Sequence, residues 1–439
     1  MSLAVRYAPT QAAAVTELWD GDVVVIGGGS AGCAAAIAAA RTGARTLLVE
    51  ASGFLGGTGA AVLDTFYGFY APGGSGRVVE GIGWELCKRL IADGQAFERP
   101  NTYGAGTGVT YEPEALKLCW DQLTHAAGAS VLHHARLIAA IADDSELVGV
   151  IIETKAGPRR LRAHTFIDAS GDAELAWRCG ATIERPAADQ RVQPLTATFR
   201  LGGVDIASTS TKELHQLMAQ AADSGDYRLP RLEGSAHRTV LPGVVHTNLT
   251  RVSDVDATDP WQLSAAEQEG RRQVKEYVRF LVDRVPGYEH AYLLGSSVWI
   301  GVRETRRLVG RYLLTRDDVL AARDFDDAIA RCGAPVEDHA GGETTIWEYI
   351  GHDGAPSGLT YGIPWRCLLP TEIENLVVAG RCLSATHDAH ASVRSMAQCM
   401  AMGQAAGTAA ALSTTGRHRI AETKPERLRS RLAETGVLL

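Results

Sequence analysis

Apolar positions in this chain follow two rhythms, and the first change of rhythm falls early. Val23 to Ile26 are four β-branched residues in a row, which read as a buried strand, and Gly27, Gly28 and Gly29 then interrupt the run. The Ala-rich stretch from Ala31 to Arg41 predicts a helix closed near Gly43, and Thr46 to Val49 a second strand that ends on Glu50. Between Val23 and Ala40 no residue is charged and Ser30 alone carries a hydroxyl, a length close to that of a membrane span. Gly and Ala insert weakly, however, and the order of strand, turn and helix makes this a folding unit, with no membrane partner implied.

Further along, Pro113 followed by Glu114 opens a helix that runs to Ala127 and stops at Gly128. Residues 129–168 read as successive strands with turns at Asp143–Asp144 and Gly157–Pro158, a β-meander that finishes on Thr165 to Asp168. From about Arg185 to Gly358, loop-like stretches such as RLEGSAHRTVLPGVVHTN alternate with amphipathic helices. In one of these, Ala265 to Arg284, Val274, Val278 and Leu281 share a stripe. Leu369 to Gly380 is strand-like again, Ser392 to Ala411 predicts a buried helix, and Arg417 to Leu439 a peripheral one.

Gly27, Gly29 and Gly32 match the G-x-G-x-x-G spacing, and Glu50 stands eighteen residues beyond Gly32. Gly27 permits the turn, Gly29 lets a pyrophosphate approach the backbone, and Gly32 lets helix and strand pack closely. The first helix amides, at Ser30 and Ala31, are unpaired and lie at the positive end of the dipole, where they suit phosphate oxygens. Glu50 suits the hydroxyls of an adenosine ribose. A lone glycine triplet serves ordinary loops as well; the surrounding strand, helix, second strand and acid make it a dinucleotide site. The second Gly-rich stretch, NTYGAGTGVT, lacks a preceding apolar strand and reads as a loop. The divisions that follow are an N-terminal extension (1–20), a nucleotide-binding domain in two parts (21–185 and 359–415), a covering domain (186–358) and a C-terminal helix (416–439).

Composition narrows the partners. The chain has 439 residues, 47 of them glycine, with 46% hydrophobic and a net charge of −8. It offers no basic surface for nucleic acid or anionic lipid. The eight cysteines include no pair spaced for a zinc site, cluster or redox dithiol, so no metal is expected and the thiols read as reduced small hydrophobes. The first twenty residues lack the apolar core of a signal peptide, which makes a cytoplasmic location the expectation.

Seven separated stretches carry a resemblance. DVVVIGGGSAGCAAAIAAARTGARTLLVE, LGGTGA, YEPEALK, TFIDASGDAELAWRCGA, GVRETRRLVG with YLLTRDDV, YGIPWRCLLP and NLVVAGRCLSATHDAHASVRSMAQCMAMGQAAGTAAAL occur in order between about residues 20 and 412. They resemble the FAD_oxidored family of the glutathione reductase-like flavoprotein superfold. The resemblance implies FAD as the cofactor. The implied fold is α/β: a Rossmann-like FAD-binding domain of three β-β-α layers with a meander insertion, and a separate α+β substrate-covering domain. It implies Gly27, Gly29, Ser30, Ala31 and Gly32 at the pyrophosphate, Glu50 with Ala51 at the adenosine ribose, Gly57 and Thr58 along the ribitol, and Leu137 at adenine through its backbone. Ala169, Ser170 and Gly171 would form a second turn over the cofactor. Gly380 and Arg381 correspond to the late ribitol motif, where many relatives carry Gly-Asp.

The predicted chemistry is hydride transfer from a small organic substrate, at a CH–OH, CH–NH or CH–CH unit, to flavin N5. A helix beginning near Ser392 and Val393 would point free amides at the flavin N1 and O2 edge. Alcohol and amine substrates need a base. His387 is the first candidate, His390 the second and His339 the third, since neutral imidazole suits proton transfer near pH 7; each also reads as a loop-fixing histidine. Arg303, Arg306 and Arg307 crowd Glu304, either as an ion-pair network or with one gripping a substrate carboxylate. Tyr361 either donates into the pocket or caps a core edge. The rival functions are a flavin monooxygenase using NAD(P)H and a non-catalytic flavin-binding or electron-transfer subunit. The electron acceptor is left open between oxygen, a quinone and a protein, and an oligomer is compatible with the chain.

Overall fold

The strand Glu17–Ile26 is covered on both sides, so its last four residues are almost wholly buried. It lies in a parallel sheet ordered Leu376–Val378, Gly157–Asp168, Glu17–Ile26, Thr46–Val49, Ser130–Leu132. The register brings Asp168 opposite both Ile26 and Val378, and Ile26 opposite Val49, so the carboxyl ends of four strands stop at one level. In this computed structural model residues 6–7, 15–100, 104–185, 192–339, 345–351 and 354–439 are described.

The strand Gly157–Asp168 joins the antiparallel and the parallel parts of one eight-stranded sheet. Its first half pairs antiparallel with Glu146–Thr154, which pairs with Arg136–Asp143, and this is the predicted meander. Its second half pairs parallel with Leu376–Val378. The meander turns sit one or two residues from the predicted places, at 144–145 and 155–156, because Gly157 (φ +85°) already begins the strand. Of the predicted extension, Arg6–Tyr7 pairs with the meander and Glu17 already belongs to the first strand; residues 1–5 and 8–14 lie outside the described residues.

Two Ala-rich helices cover the sheet. Ser30–Arg41 and Met396–Gly416 approach so closely that a Cβ at Gly403 or Gly407 would meet the carbonyl oxygen of Ala31 or Ala35 at 2.0 Å. The single helix predicted over Ser392–Ala411 is in fact two, His387–Val393 and Met396–Gly416. Ser395 is extended at the break (φ −58°, ψ 144°), so the second helix starts there with no side-chain cap.

The covering segment builds an antiparallel sheet ordered Ser235–Arg238, Val245–Asn248, Phe199–Gly202, Tyr292–Ser296. Its long helix is Pro260–Arg284, five residues longer than predicted at its start, because Asp259 caps it and Pro260 takes the first position. Phe199, Leu201, Met218, Tyr277 and Phe280 belong to a core of their own. From Leu308 onward the apolar residues return to the first core, so the part with its own core is shorter than the predicted 186–358.

Candidate functional site

Gly27, Glu50, Ala169 and Ala379 each follow the carboxyl end of a parallel strand, and all four line one cavity of 570 Å³. That is the crevice where open α/β sheets bind ligands. Gly27 has φ +98°, and a Cβ there would sit 2.6 Å from the Ala169 carbonyl oxygen, so the turn admits glycine only. Gly29 faces open space, its nearest neighbour being Gly57 Cα at 4.0 Å. Gly29 caps the helix Ser30–Arg41 with no side-chain bond, which leaves its first amides for a ligand. Glu50 accepts from Gly28 N–H at 2.6 Å on one oxygen and from Ser52 N–H and Oγ–H at 2.7 and 2.6 Å on the other. Its carboxylate is thus held in place at the cavity wall, with lone pairs to spare.

Ser30, Ala31, Gly57, Thr58, Ser170, Gly171, Gly380 and Arg381 also line the cavity. Gly32 does not line it; the missing Cβ lets the helix press against Gly27, whose carbonyl oxygen would lie 1.7 Å from a side chain. Ala51 points away, and Leu137 is buried in the meander, neither lining the cavity. Arg381, where Gly-Asp was the superfold pattern, pairs with Asp172 at 2.7 Å. An acid therefore reaches this spot from the 169–172 turn instead.

The expected helix start moves. Ser392 and Val393 are fully buried and do not line the cavity, because the chain breaks helix after them and presents Arg394, Ser395 and Met396. Ser392 donates to the Ala334 carbonyl at 2.5 Å and accepts from Tyr361 Oη at 2.8 Å. Tyr361 is thereby a core hydroxyl, not a pocket donor.

Two of the three candidate histidines lie elsewhere. His387 bridges Glu304 at 3.0 Å and Asp338 at 3.4 Å and does not line the cavity. Partial burial works against its charge, but bonds to Asp338 and Glu304 prevail and push its pKa up to about 9, so it is a cation at neutral pH. His390 is fully buried, donates to the Arg381 carbonyl at 2.8 Å, and is held far below the usual range by burial. His339 does line the cavity; burial and the charge of Arg303 lower it to about 4 against Glu337, 3.2 Å away. The arginines divide in the same way. Arg307 pairs with Glu304 and Arg306 donates to the Asp172 carbonyl, both structural, whereas Arg303 lines the cavity.

Sequence reasoning missed several cavity residues, among them Arg394, Glu337 and the cluster of Asp64, His237 and His246. Asp64 Oδ1 accepts from His237 Nε2 at 2.9 Å, and Asp64 Oδ2 lies 3.6 Å from His246 Nδ1. Burial pushes the Asp64 carboxyl up, but His246 and His237 outweigh it and hold it well below the usual range. Burial lowers His246 to about 4 against Asp64, leaving it neutral. An ionised Asp64 only accepts, so His237 Nε2 carries a proton, while Nδ1 is buried and has no partner among the described residues. The signal was present in HRTVLPGVVHTN: Pro242-Gly243 marks a turn, and His237 and His246 on either side of it fall opposite each other in the hairpin.

The match to known proteins is broad in the family and narrow in the relatives. The chain belongs to the FAD dependent oxidoreductase family, whose pattern covers residues 22–432. Its cofactor is FAD, and the uncapped first helix, the open Gly29 and the held Glu50 fit that group. Digeranylgeranylglycerophospholipid reductase 2 of Methanopyrus kandleri is 32% identical over 199 residues, 43% of this chain and 47% of that protein. The tRNA uridine 5-carboxymethylaminomethyl modification enzyme MnmG of Geotalea uraniireducens is 31% identical over 144 residues, 32% of this chain and 22% of that protein. The matched stretches thus span less than half the length of these relatives. The solved structure of BexE, from work on oxidation during BE-7585A biosynthesis, shares the fold at 14% identity, with TM-score 0.50 over 95% of this chain and 66% of that one. The α/β FAD-binding fold is therefore established, and no helix among the described residues is long and apolar enough to cross a membrane.

Proposed function

We propose that this chain is an FAD-dependent dehydrogenase or oxidase of a small organic substrate, oxidised at a C–H beside oxygen or nitrogen or at a CH–CH unit. The observation that carries the reading is one continuous cavity with the glycine turn and Glu50 on its walls and Asp64, His237 and His246 beside them. When bound, FAD supplies a hydride acceptor. Gly27, Gly29, Ser30 and Ala31 bind its diphosphate, Glu50 its ribose, and Gly57, Thr58, Gly380 and Arg381 its ribitol. The uncapped amides at Met396, which lines the cavity, would stabilise the negative charge that a reduced flavin carries.

His237 is the base in this reading, in place of His387. Asp64 orients it through Nε2, as a carboxylate orients a histidine in hydrolytic triads, and the ring serves as proton acceptor for a substrate in the cavity. The covering sheet brings His237 and His246 onto the cavity wall. The electron acceptor is oxygen, a quinone or another protein, and a cytoplasmic location fits the eight free, buried thiols.

Anaerobic screening of small alcohols, amines and saturated acids, read as bleaching of the flavin without NAD(P)H, tests the class. Bleaching by one group is expected, and His237→Gln should slow it by about 10²–10⁴-fold without changing flavin content. Hydroxylated product formed only with NAD(P)H would replace this reading by a monooxygenase.

A further inference from the structure

The covering wall of the cavity holds more positive charge than its acids answer, and the inference drawn from this rests on the oxidoreductase reading above. Arg303 gives only Nη1 to the protein, at 2.6 Å to both the Pro194 carbonyl and Thr196 Oγ1. Its Nε–Nη2 edge has no partner among the described residues. Arg394 makes one long bond, Nη2 to the Glu337 carbonyl oxygen at 3.4 Å, and its buried Nε has no partner. Both line the cavity.

The nearby acids are already engaged. Glu233 lies 3.8 Å from Arg231 and 3.6 Å from Arg251 and accepts from Thr345 N–H at 3.0 Å. Glu337 is bound to His339 at 3.2 Å. Glu337 is the acid that acts on both Arg303 and Arg394, one carboxylate for two guanidinium groups on the cavity wall. Burial draws Arg303 down to about 9, and Arg394 and Arg231 press it the same way. A buried cation without a counter-ion is costly, and it persists where a bound anion completes it.

We propose that the substrate carries a carboxylate, gripped bidentately by the Nε–Nη2 edge of Arg303 with Arg394 as the second cation. The two oxygens of a carboxylate match the planar guanidinium fork, and the bonds to Pro194 and Thr196 already fix the plane of that fork. Glu337 on the same wall disfavours a dianion such as phosphate.

The test titrates the FAD-loaded protein with glycolate, lactate, succinate and benzoate, each beside its amide, and with inorganic phosphate. The readouts are melting-temperature shift and change in the flavin spectrum. At least one carboxylate should bind saturably, with its amide and phosphate about tenfold weaker or worse. Arg303→Met should abolish that preference at unchanged flavin content, and Arg303→Lys, which keeps the charge and loses the fork, should restore part of it. If Arg303→Met does not fold, the carboxylate-against-amide comparison on the unaltered protein still decides. Amides or phosphate binding as tightly as carboxylates, no carboxylate binding at all, or an unchanged preference in folded Arg303→Met would each overturn the proposal. Because the melting shift needs no flavin, a protein that takes up no FAD defeats the oxidoreductase reading while the anion result stays readable.

Discussion

His387 and His237 show how little a histidine's neighbours in sequence say about its chemistry. His387 stands in SATHDAH, beside the cofactor strand, yet its ring is pinned between Glu304 and Asp338. Its folded pKa of about 9 exceeds the ordinary 6.5, so its stabilising contribution is complete below about 6.5 and is lost as pH rises through about 9. We expect the melting temperature to fall over that window, and His387→Gln to flatten the fall; an equal slope in both proteins would contradict it. Glu304 is 1% exposed and is pushed down to about 2, burial being outweighed by His387 first and Arg307 after it. Glu304→Ala would leave Arg307 buried beside an empty place, at a cost of about 3–5 kcal/mol read by urea unfolding. His237, by contrast, was read as part of a loop, and only pairing with the strand that carries His246 brings it to Asp64, 173 residues away.

At the scale of elements, local patterns located the carboxyl ends of the strands Val23–Ile26 and Thr46–Val49, next to the cavity, and both ends of the helix Pro113–Ala127, away from it, to within a residue. These carry their signals in adjacent residues: β-branching, Pro at the first turn, Gly at the end. The break at Arg394–Ser395 carried no such signal, since HASVRSMAQC contains neither Gly nor Pro and the break is set by tertiary contacts. Close packing likewise could not be read from composition. Gly403 and Gly407 are needed because Ala31 and Ala35 of the neighbouring helix leave no room. Gly407→Ala should therefore cost about 1–3 kcal/mol in urea unfolding, although alanine is the better helix former. A variant as stable as the parent would mean the helices are farther apart than described.

For the whole molecule, the level ends of four parallel strands, two uncapped helix starts and a second sheet that brings His237 all meet around one cavity. On the cofactor side, Gly27, Gly29, Ser30, Ala31, Glu50, Gly57 and Thr58 could be placed at the cavity from the sequence because they sit in short motifs, whereas Ala51, Leu137, Ser392 and Val393 proved to lie off it. Of the substrate half, Arg303 and His339 could be picked out from the sequence, whereas Asp64, His237 and Arg394 come from distant stretches and only the fold assembles them. The central claim is that FAD lies with its diphosphate on the Gly27–Ala31 turn. The absorption spectrum of the protein, recorded after incubation with FAD and removal of free flavin, tests it most directly when Gly29→Leu is run alongside. The account predicts stoichiometric flavin in the parent and its loss in the variant at unchanged secondary structure. A colourless, folded parent, or a variant that keeps its full flavin, would contradict it.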